Sequence, residues 1–496
     1  MYILSIDQGT TGSTVSLVNE MGKIVCSHNE EFPQIFPKPG WVEHNPEDIW
    51  KSVLSGIKAV NKKANLKAGS IKAIGITNQR ETVVAWDRVT GQSIHNAIVW
   101  QCRRTTEFCQ KLKKRGLQKT IKNKTGLVID PYFSASKMNW ILNNVPNATK
   151  KMQNGELAFG TIDSFLIYKL TGGKSHVTDV SNASRTMLLN IKTAKWDDEL
   201  VKIFKVNKKS LPEVLDSNAL FGKTHKVPGL ENNIPITGVL GDQQAALFGQ
   251  TCFKEAEAKC TFGTGSFILM NIGAKKRSSR SGLLTTVAWK LSSDKSLTYA
   301  FEGGAFICGA AVQWLRDGLE FFKSAPEIEK LARQVEDTDG VEFVPALSGL
   351  GAPYWDPDAR GLICGLTRGT TKAHIARATL EAMALQNADI LKAMEKDAQT
   401  KMKKLRVDGG ASNNNLLMQL QANYLGQNII RPEMIETTSL GAAYMAGLGA
   451  GVWKNLNEIK KVWNIDKEFK KHMSEPQRKE RLKSWHRAID RARFQA

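Results

Sequence analysis

One short unit occurs twice in this chain, about 250 residues apart, and it limits the possible folds more than any other feature. The first copy is ILSIDQGTTGSTVSLV at residues 3–18, and the second is AKCTFGTGSFILM at residues 258–270. In each copy an apolar strand leads into a turn of glycine and threonine, and a second apolar strand leaves that turn. Taken alone, the first copy also fits a β-hairpin, because hairpin turns often contain Gly and Asp. The repetition favours two similar domains that face one nucleotide.

The chemistry of these turns is typical of phosphate binding. Gly9 and Gly12 can adopt positive φ and carry no side chain that would block a ligand. Thr10 and Thr11 add hydroxyl groups, and the turn adds backbone N–H groups, which together can surround an anion. Asp7 lies where the first strand meets the turn, a suitable position for a hydrated Mg²⁺ ion.

A third glycine turn lies near the C-terminal end. Residues 405–414 read as a strand, the pair Gly409-Gly410 and the start of a helix. A helix N-terminus after a glycine pair is typical of an element that faces an anion or a nucleotide. The chain has no G-x-x-x-x-G-K-[ST] loop and no G-x-G-x-x-G turn that opens a βαβ unit. These absences argue against the P-loop and Rossmann classes.

Strands and helices alternate in the first half of the chain, which indicates an α/β fold. A helix is predicted to begin at Pro46, because Asn45 can cap it and Glu47 and Asp48 oppose its dipole. The length of 496 residues exceeds what one hydrophobic core usually supports, so two domains are expected. A second helix is predicted over residues 163–170, and strands are predicted over residues 2–6, 15–18, 71–77 and 82–87.

Charge and composition narrow the classes of function. The formal net charge is +21, but the lysines are dispersed in short clusters, which disfavours the alternative of a nucleic-acid-binding protein. No apolar run is long enough to span a bilayer, and Asp7 interrupts any signal-peptide pattern. A cytoplasmic protein without membrane insertion is therefore expected. The seven cysteines form no C-x-x-C pair, and the eight histidines show no metal-ligand spacing.

The order of the three turns resembles that of a known superfamily. DQGTT at Asp7, GTG at Gly263 and DGGASNN at Asp408 are similar to the two phosphate loops and the adenosine loop of actin-like ATPases. Within that group, residues 132–140 (YFSASKMNW) and 365–382 resemble the signatures of the FGGY family of carbohydrate kinases. The resemblance extends over nearly the whole chain.

This resemblance implies an α/β fold with two ribonuclease-H-like domains. Each domain is expected to contain a mixed five-stranded sheet flanked by helices, with the active site in the cleft between the domains. Residues 1–250 would form the N-terminal domain, with the first phosphate loop, the substrate pocket and the catalytic Asp. Residues 251–496 would form the C-terminal domain, with the second phosphate loop and the adenosine site.

Longer matching segments of sequence narrow the choice of substrate. They are similar to those of family members that phosphorylate glycerol, and they lie at residues 40–44, 75–81, 98–104, 241–250 and 349–355. The resemblance therefore implies transfer of a phosphoryl group from ATP, with Mg²⁺, to give sn-glycerol 3-phosphate. A homodimer or homotetramer is also implied. An FGGY kinase for a larger polyol or ketose is the nearest alternative. A non-catalytic actin-like nucleotide switch would need the phosphate loops but no polyol cluster.

The resemblance also assigns roles to individual residues. Asp242 is the expected general base, and Asp242 and Asp7 are the expected metal-binding residues. The glycerol pocket is expected to comprise Arg80, Glu81, Trp100, Tyr132, Asp242, Gln243 and Phe267. The nucleotide is expected to bind Thr10, Thr11, Gly263 and Thr264 through its phosphates, and Gly309, Gln313, Gly410 and Asn414 on the adenosine side.

From the residues alone, other roles stay open. An Asp at a strand-to-helix turn, such as Asp242, often caps the helix. Arg80 and Glu81 could form a surface ion pair, and Trp100 and Phe267 could belong to the hydrophobic core.

The chain departs from the family pattern in two places. Thr14 stands where many glycerol-phosphorylating members have an arginine in the phosphate pocket, so residue 14 is left out of the predicted site. Residues 226–233 contain one Gly and no Arg, unlike the loop through which some bacterial members bind fructose 1,6-bisphosphate. That form of control is therefore not expected here, and the nearby His225 is predicted to be a surface residue.

Overall fold

Two mixed β-sheets organise the chain, in a computed structural model that describes residues 1–493. The first sheet has six strands: β1 (Tyr2–Gln8), β2 (Gly12–Asn19), β3 (Ile24–Glu31), β4 (Ile71–Asn78), β5 (Gly222–Lys223) and β6 (Pro235–Gly241). The second has seven: β7 (Glu257–Phe262), β8 (Ser266–Gly273), β9 (Leu284–Trp289), β10 (Thr298–Ala305), β11 (Lys404–Asp408), β12 (Ile429–Pro432) and β13 (Ile465–Phe469).

The two sheets share the same central arrangement. The spatial order is β5-β6-β4-β1-β2-β3 in the first and β9-β10-β8-β7-β11-β12-β13 in the second. β1 pairs antiparallel with β2 and parallel with β4, just as β7 pairs antiparallel with β8 and parallel with β11. The duplicated sequence unit therefore forms the centre of each sheet.

Each sheet contains the five strands that the fold class predicts, and further strands extend its edges. β5 adds to the first sheet, whereas β9 and β13 add to the second, so the totals are six and seven. All three extensions are antiparallel. They satisfy backbone N–H and C=O groups that an edge strand would otherwise leave unpaired.

Helices cover the sheets. Residues 1–493 form sixteen α-helices: α1 (Pro46–Ala64), α2 (Thr106–Lys114), α3 (Gln118–Thr125), α4 (Ser134–Asn144), α5 (Ala148–Gln153), α6 (Ile162–Leu170), α7 (Val180–Ala183), α8 (Asp198–Phe204), α9 (Asp242–Gly249), α10 (Gly309–Asp317), α11 (Glu327–Ala332), α12 (Lys372–Ala398), α13 (Asn415–Leu425), α14 (Thr437–Gly449), α15 (Leu456–Val462) and α16 (Glu475–Arg493). Shorter strands pair as Glu43–His44 with Ala97–Ile98, Val84–Asp87 with Leu157–Gly160, Val177–Asp179 with Glu213–Leu215, Leu189–Asn190 with Lys195–Trp196, and Glu342–Val344 with Leu362–Cys364. None of the helices in the described part of the chain has the length and apolarity needed to cross a membrane.

Local signals gave several of these elements correctly. The predicted cap of α1 is confirmed, because the side chain of Asn45 accepts a hydrogen bond from the backbone N–H of Glu47 at 3.0 Å. The helix predicted over residues 163–170 is α6. The predicted strands correspond to β1, β2, β4 and Val84–Asp87.

The parallel strands β1, β4 and β6 end at one edge of the first sheet. Gln8 at the end of β1 is in register with Asn78 of β4, and Asn78 is in register with Gly241 of β6. The segments that follow these strands therefore meet at this edge. In the second sheet, Thr261 of β7 stands opposite Asp408 of β11 in the same way. Ligands of open α/β sheets bind outside the carboxyl ends of the strands.

Two helices, α9 and α14, lie between the sheets. α14 packs on β1, β4 and β6, and α9 packs on α14, β7 and β8. The core between them includes Ile3 and Leu240 from the first sheet and Leu269 and Ala300 from the second. The two halves therefore share a hydrophobic interface. The predicted domain boundary at residue 250 stays a prediction.

Candidate active site

The first Gly/Thr turn closes tightly between β1 and β2. The backbone N–H of Gly9 donates to the carbonyl of Gly12 at 2.8 Å. Neither glycine adopts the positive φ that the sequence allowed. Gly12 is needed for a different reason, because a Cβ there would lie 2.8 Å from Oδ1 of Asn29 and 2.9 Å from the carbonyl oxygen of Glu30. Thr11 is exposed beside the turn.

Two carboxylates stand at the edge where β1 and β6 end. Burial is the main reason that the pKa of Asp7 is raised to about 7; a hydrogen bond from Ser439 at 3.1 Å opposes the rise, and the charge of Asp242 adds to it. Asp242 is the first residue of α9, and its side chain is 31 % exposed. The N-cap residue of that helix is Gly241, so Asp242 does not occupy the cap position.

Arg80 and Glu81 are buried in a ring of alternating charges, so the alternative of a surface pair is wrong. Arg80 donates to both carboxylate oxygens of Glu302, at 2.7 and 2.8 Å. Arg185 donates from Nε to Glu81 at 2.6 Å and from Nη2 to Glu302 at 3.1 Å. Burial raises the pKa of Glu302, but Arg185 and Arg80 outweigh it and hold this pKa at about 2.

The ring also contacts the predicted base. Nε of Arg80 lies 2.9 Å from Oδ1 of Asp242, which forms an ion pair. The same oxygen accepts the backbone N–H of Gln243 at 2.6 Å. A Cβ at Gly241 would lie within 2.8 Å of the Arg80 side chain, so glycine at this position gives Arg80 its place under the start of α9.

Glu81 occupies a strained turn. Its φ is 62°, and the backbone N–H of Thr82 donates to the carbonyl of Arg80 at 2.7 Å, which closes a three-residue turn. The hydroxyl of Ser134 donates to the carbonyl of Glu81 at 3.0 Å. Such a backbone conformation costs on the order of 1–3 kcal/mol and persists where neighbouring groups enforce it, often at functional sites.

Aromatic side chains flank this charged ring. Trp100 and Tyr132 meet edge to face at 5.6 Å, and the indole N–H of Trp100 donates to the hydroxyl of Thr10 at 3.0 Å. Trp100 and Phe267 are only partly buried, so neither is a core residue. The buried ammonium of Lys137 donates to the backbone carbonyls of residues 131–133 and fixes the turn that carries Tyr132. Residues 132–140, the segment that resembles a family signature, thus hold Tyr132 in place beside Trp100.

Gln243 is held from the second sheet. The ammonium of Lys259 on β7 donates to the amide oxygen of Gln243, to Thr261 at 2.8 Å and to the carbonyl of Phe267 at 3.3 Å. Burial lowers the pKa of Lys259, and nearby carboxylates, Asp408 first among them, oppose that shift. Lys259 links two predicted pocket residues, Gln243 and Phe267, across the two sheets.

The second Gly/Thr turn, predicted to bind phosphate, docks against the start of α10. The backbone N–H of Gly309 donates to the carbonyl of Gly263 at 3.0 Å, and the carbonyl of Thr264 accepts from Cys308 at 2.8 Å. A Cβ at residue 309 would lie 2.7 Å from the carbonyl oxygen of Gly263, so this contact requires glycine. Gln313 is exposed on α10.

In the third glycine turn, packing requires glycine at position 409, whereas position 410 has space for a side chain. Gly409 has φ +84° and lies too close to Phe262 for any side chain, whereas a Cβ at Gly410 would meet no atom within 4 Å. The side-chain oxygen of Asn414 accepts the backbone N–H of Leu417 at 2.9 Å and caps α13. Asn414 therefore positions the start of that helix, and only its remaining polar groups could face a nucleotide.

The predicted metal-binding residues suit a magnesium ion. The described residues hold no group of three or more His, Cys, Asp or Glu side chains that could bind a metal. Mg²⁺ is usually held by one or two carboxylates, with water and substrate phosphate oxygens as the other ligands. Asp7 and Asp242 supply two carboxylates, and a cation would relieve the repulsion that contributes to the raised pKa of Asp7.

Three of the residues around the site, Glu302, Arg185 and Lys259, were not predicted from the sequence. Glu302 is the single acidic residue in the strand TYAFEGGA, and Lys259 is the single basic residue in EAKCTF. A charged residue inside a buried strand is the only signal for either residue. Arg185 follows the short α7 and carries no such signal.

Comparison with known proteins defines the class of this site. The chain matches the FGGY family of carbohydrate kinases, the N-terminal domain over residues 2–249 and the C-terminal domain over residues 258–450. The chain belongs to this family, and the enzyme class and fold class that the sequence predicted are confirmed.

Individual relatives narrow the class. The chain is 61% identical to the glycerol kinase of Bdellovibrio bacteriovorus, covering 99% of both chains. It is 55% identical to the glycerol kinase of Oceanobacillus iheyensis, covering 99% of this chain and 98% of the relative. Its fold is similar to that of Plasmodium falciparum glycerol kinase with ADP, with a TM-score of 0.95, 39% identity and coverage of 100% of this chain and 99% of the other. The predicted resemblance to glycerol-phosphorylating members is confirmed.

Proposed function

We propose that this protein transfers the γ-phosphoryl group of ATP to glycerol and releases sn-glycerol 3-phosphate and ADP. The observation that carries the proposal is the ion pair between Asp242 and Arg80, whose Oδ1 and Nε atoms are 2.9 Å apart. This pair lies at the edge of the sheet where β1 ends and the proposed phosphate loop begins. An acceptor hydroxyl bound there would lie beside both a base and a phosphate-binding turn. The glycerol kinases with 55–61% identity over nearly the full chain support the choice of substrate.

In this proposal Asp242 is the general base. The hydroxyl oxygen of glycerol attacks the γ-phosphorus, the bond from that phosphorus to the β–γ bridging oxygen breaks, and the hydroxyl proton passes to the carboxylate of Asp242. Phosphoryl transfer depends mainly on positioning and charge neutralisation, so a carboxylate can serve as the base when the proton leaves late. The partial exposure of Asp242 leaves it accessible to substrate.

Arg80 and Glu81 would bind the other hydroxyl groups, the arginine as donor and the glutamate as acceptor. Trp100, Tyr132 and Phe267 would cover the carbon chain. A pocket built from buried hydrogen-bonding groups rejects analogues that lack the hydroxyls, because its polar groups would be left unpaired. An FGGY kinase for a larger polyol would need a wider space beside this aromatic wall.

The nucleotide would lie between the two sheets. Thr10, Thr11, Gly263 and Thr264 would contact its phosphates, and Gly309, Gln313, Gly410 and Asn414 would form the adenosine side. Asp7, through water, and Asp242 would hold Mg²⁺. The ion would neutralise phosphate charge when bound. The cytoplasmic location, the absence of a nucleic-acid partner and the homodimer or homotetramer stay predictions.

The test is ADP release from MgATP with glycerol and with a panel of polyols and sugars that includes xylulose and ribulose. Turnover that requires glycerol, with a single phosphorylated product at a terminal carbon, is expected. Turnover without glycerol, or a preference for a five-carbon sugar, would overturn the assignment. Binding of ATP without any turnover would favour the nucleotide-switch alternative.

A further inference from the structure

The hydrogen bonds of Arg80 leave part of its guanidinium free. A guanidinium has five N–H groups. Nη1 donates to Glu302 at 2.7 Å and to Gln244 at 3.2 Å, and Nη2 donates once to Glu302 at 2.8 Å. The Nε–H group is occupied by its ion pair with Asp242, 2.9 Å away, although that contact lacks hydrogen-bonding geometry. The second N–H of Nη2 has no hydrogen bond among the described residues. One donor of the guanidinium, on the edge that also carries Nε and faces Asp242, is therefore available to a ligand.

The contacts with Glu302 determine which N–H groups of Arg80 stay free. Its two oxygens engage the far edge of the Arg80 guanidinium in a bidentate pair, which fixes the plane of that group as well as its position. Arg185 binds the same carboxylate with both of its terminal nitrogens, so Glu302 itself has little freedom. Both Arg185 and Glu302 are almost completely buried.

Glu302 also belongs to the other half of the chain. It lies on β10, between Leu269 of β8 and Leu284 of β9 in the register of the second sheet. Arg80, Glu81 and Arg185 all come from the first half. The pocket of the first sheet is therefore completed by a carboxylate of the second, and a separation of the halves would leave two buried arginines without it.

We propose that Glu302, supported by Arg185, is a positioning residue for the polyol substrate. It turns the free Nη2 donor of Arg80 towards a substrate hydroxyl beside Asp242. Because Glu302 belongs to the second half, the pocket is complete only when the two halves are together. Glu302 acts through Arg80 and does not touch the substrate. The inference rests on the proposed function, because it concerns the affinity for glycerol.

The test uses the Glu302→Gln variant of the full chain. This change keeps the size of the side chain and removes its charge, so Arg80 loses its bidentate partner. We expect the KM for glycerol to rise by about tenfold or more, and the KM for MgATP to change by less than about twofold. Glu381→Gln is the matched control, because Glu381 is also buried on the second half and accepts from two arginines, Arg377 and Arg481, away from the site. It should lower the melting temperature without changing the KM for glycerol.

A double-mutant cycle with Arg80→Gln tests whether Glu302 affects glycerol binding through Arg80 or only through the general stability of the fold. If Glu302 acts through Arg80, the double variant has the same KM for glycerol as Arg80→Gln alone. Fully additive effects, or an unchanged KM for glycerol in folded Glu302→Gln, would overturn the inference. If Glu302→Gln does not fold, Glu302→Asp keeps the charge but shortens the reach, and the same rise in KM is expected and the same absence of change would contradict it. Lack of glycerol-dependent turnover in the unmodified protein would refute the proposed function instead.

Discussion

At the scale of single residues, the proposed chemistry depends on Asp242. We predict that Asp242→Asn lowers kcat by about 10²- to 10⁴-fold, the usual contribution of a general base, with little change in melting temperature. The amide oxygen can still accept the backbone N–H of Gln243, so the start of α9 should keep its structure. Steady-state kinetics and a thermal melt of the same preparation test this prediction. A variant with normal kcat, or one that loses its fold, would contradict the role of Asp242 as base.

Local sequence patterns predicted residues next to the first glycine turn and missed those that act across the fold. Asp7 and Thr10 lie at a turn whose chemistry shows in a short string, whereas the role of Asp242 was predicted only from the resemblance. Glu302 and Lys259 have meaning only through tertiary contacts, since Glu302 is 222 positions from Arg80 along the chain. The resemblance named Arg80 and Glu81, but the strained turn at Glu81 and its partner Arg185 required coordinates.

At the scale of elements, glycines allow α14 to lie against the first sheet and against α9. A Cβ at Gly75 or Gly238 would overlap the backbone of α14 near Ala442 or Ala446. A Cβ at Gly441 on α14 would overlap the carbonyl of Ala245 on α9. Backbone cannot move aside as a flexible side chain can, so these positions fix the distance between the elements.

We predict that Gly441→Ala destabilises the protein by about 2–3 kcal/mol, because the extra methyl group forces the backbones of α9 and α14 apart. α9 begins with Asp242, so kcat should fall as well. Urea denaturation compared with Gly369→Ala provides the measurement. Gly369 is exposed, and the nearest atom to its added Cβ would be 3.7 Å away, so that control should retain normal stability. Equal stability of the two variants would show that the helices can shift.

The central strands could be predicted, but two of the three additional edge strands, β5 and β13, could not. β1, β2 and β4 are apolar runs between turn residues, which is a strong strand signal. β5 has only two residues, Gly222 and Lys223, and four of the five residues of β13 are exposed. Neither has the apolar alternation that marks a strand in sequence, because each is held mainly by backbone pairing to an edge.

At the scale of the whole molecule, the second half of the chain contacts the candidate site residues of the first half at three points. Ser439 of the second half donates to Asp7, Lys259 donates to Gln243, and Glu302 pairs with Arg80. The Gly/Thr turns and the proposed polyol pocket are therefore not independent modules. Closing the halves would assemble the donors and exclude water that could accept the phosphoryl group in place of substrate.

Global stability should also depend on a buried histidine behind the first Gly/Thr turn. His44 is fully buried, with Nε2 2.6 Å from the side-chain oxygen of Gln34 and Nδ1 3.3 Å from the amide nitrogen of Gln79. Gln79 in turn donates to the carbonyl of Gly9 at 3.1 Å. Burial lowers the pKa of His44 from 6.5 to about 4. The folded protein therefore keeps this ring neutral at pH values where an unfolded chain would protonate it.

The sign of the pH dependence follows from that shift. Between pH 6.5 and about 4 the unfolded chain binds more protons at His44 than the folded protein does, so the free energy of unfolding falls as the pH falls. The loss from this residue should reach about 3 kcal/mol at the lower end of the window. His176, whose pKa burial also lowers to about 4, should act in the same direction.

Urea denaturation at pH 7.5, 6.0 and 5.0 would measure this dependence. His44→Gln should be less stable at pH 7.5 but should show a shallower loss on acidification, because one of the two protonation steps has been removed. His472→Gln, at an exposed position, is the matched control and should follow the unmodified protein. If His44→Gln loses stability as steeply as the unmodified protein, the neutral buried ring is not what limits the fold in acid. In that case, other groups, such as the carboxylates of the charged ring, would have to account for the loss.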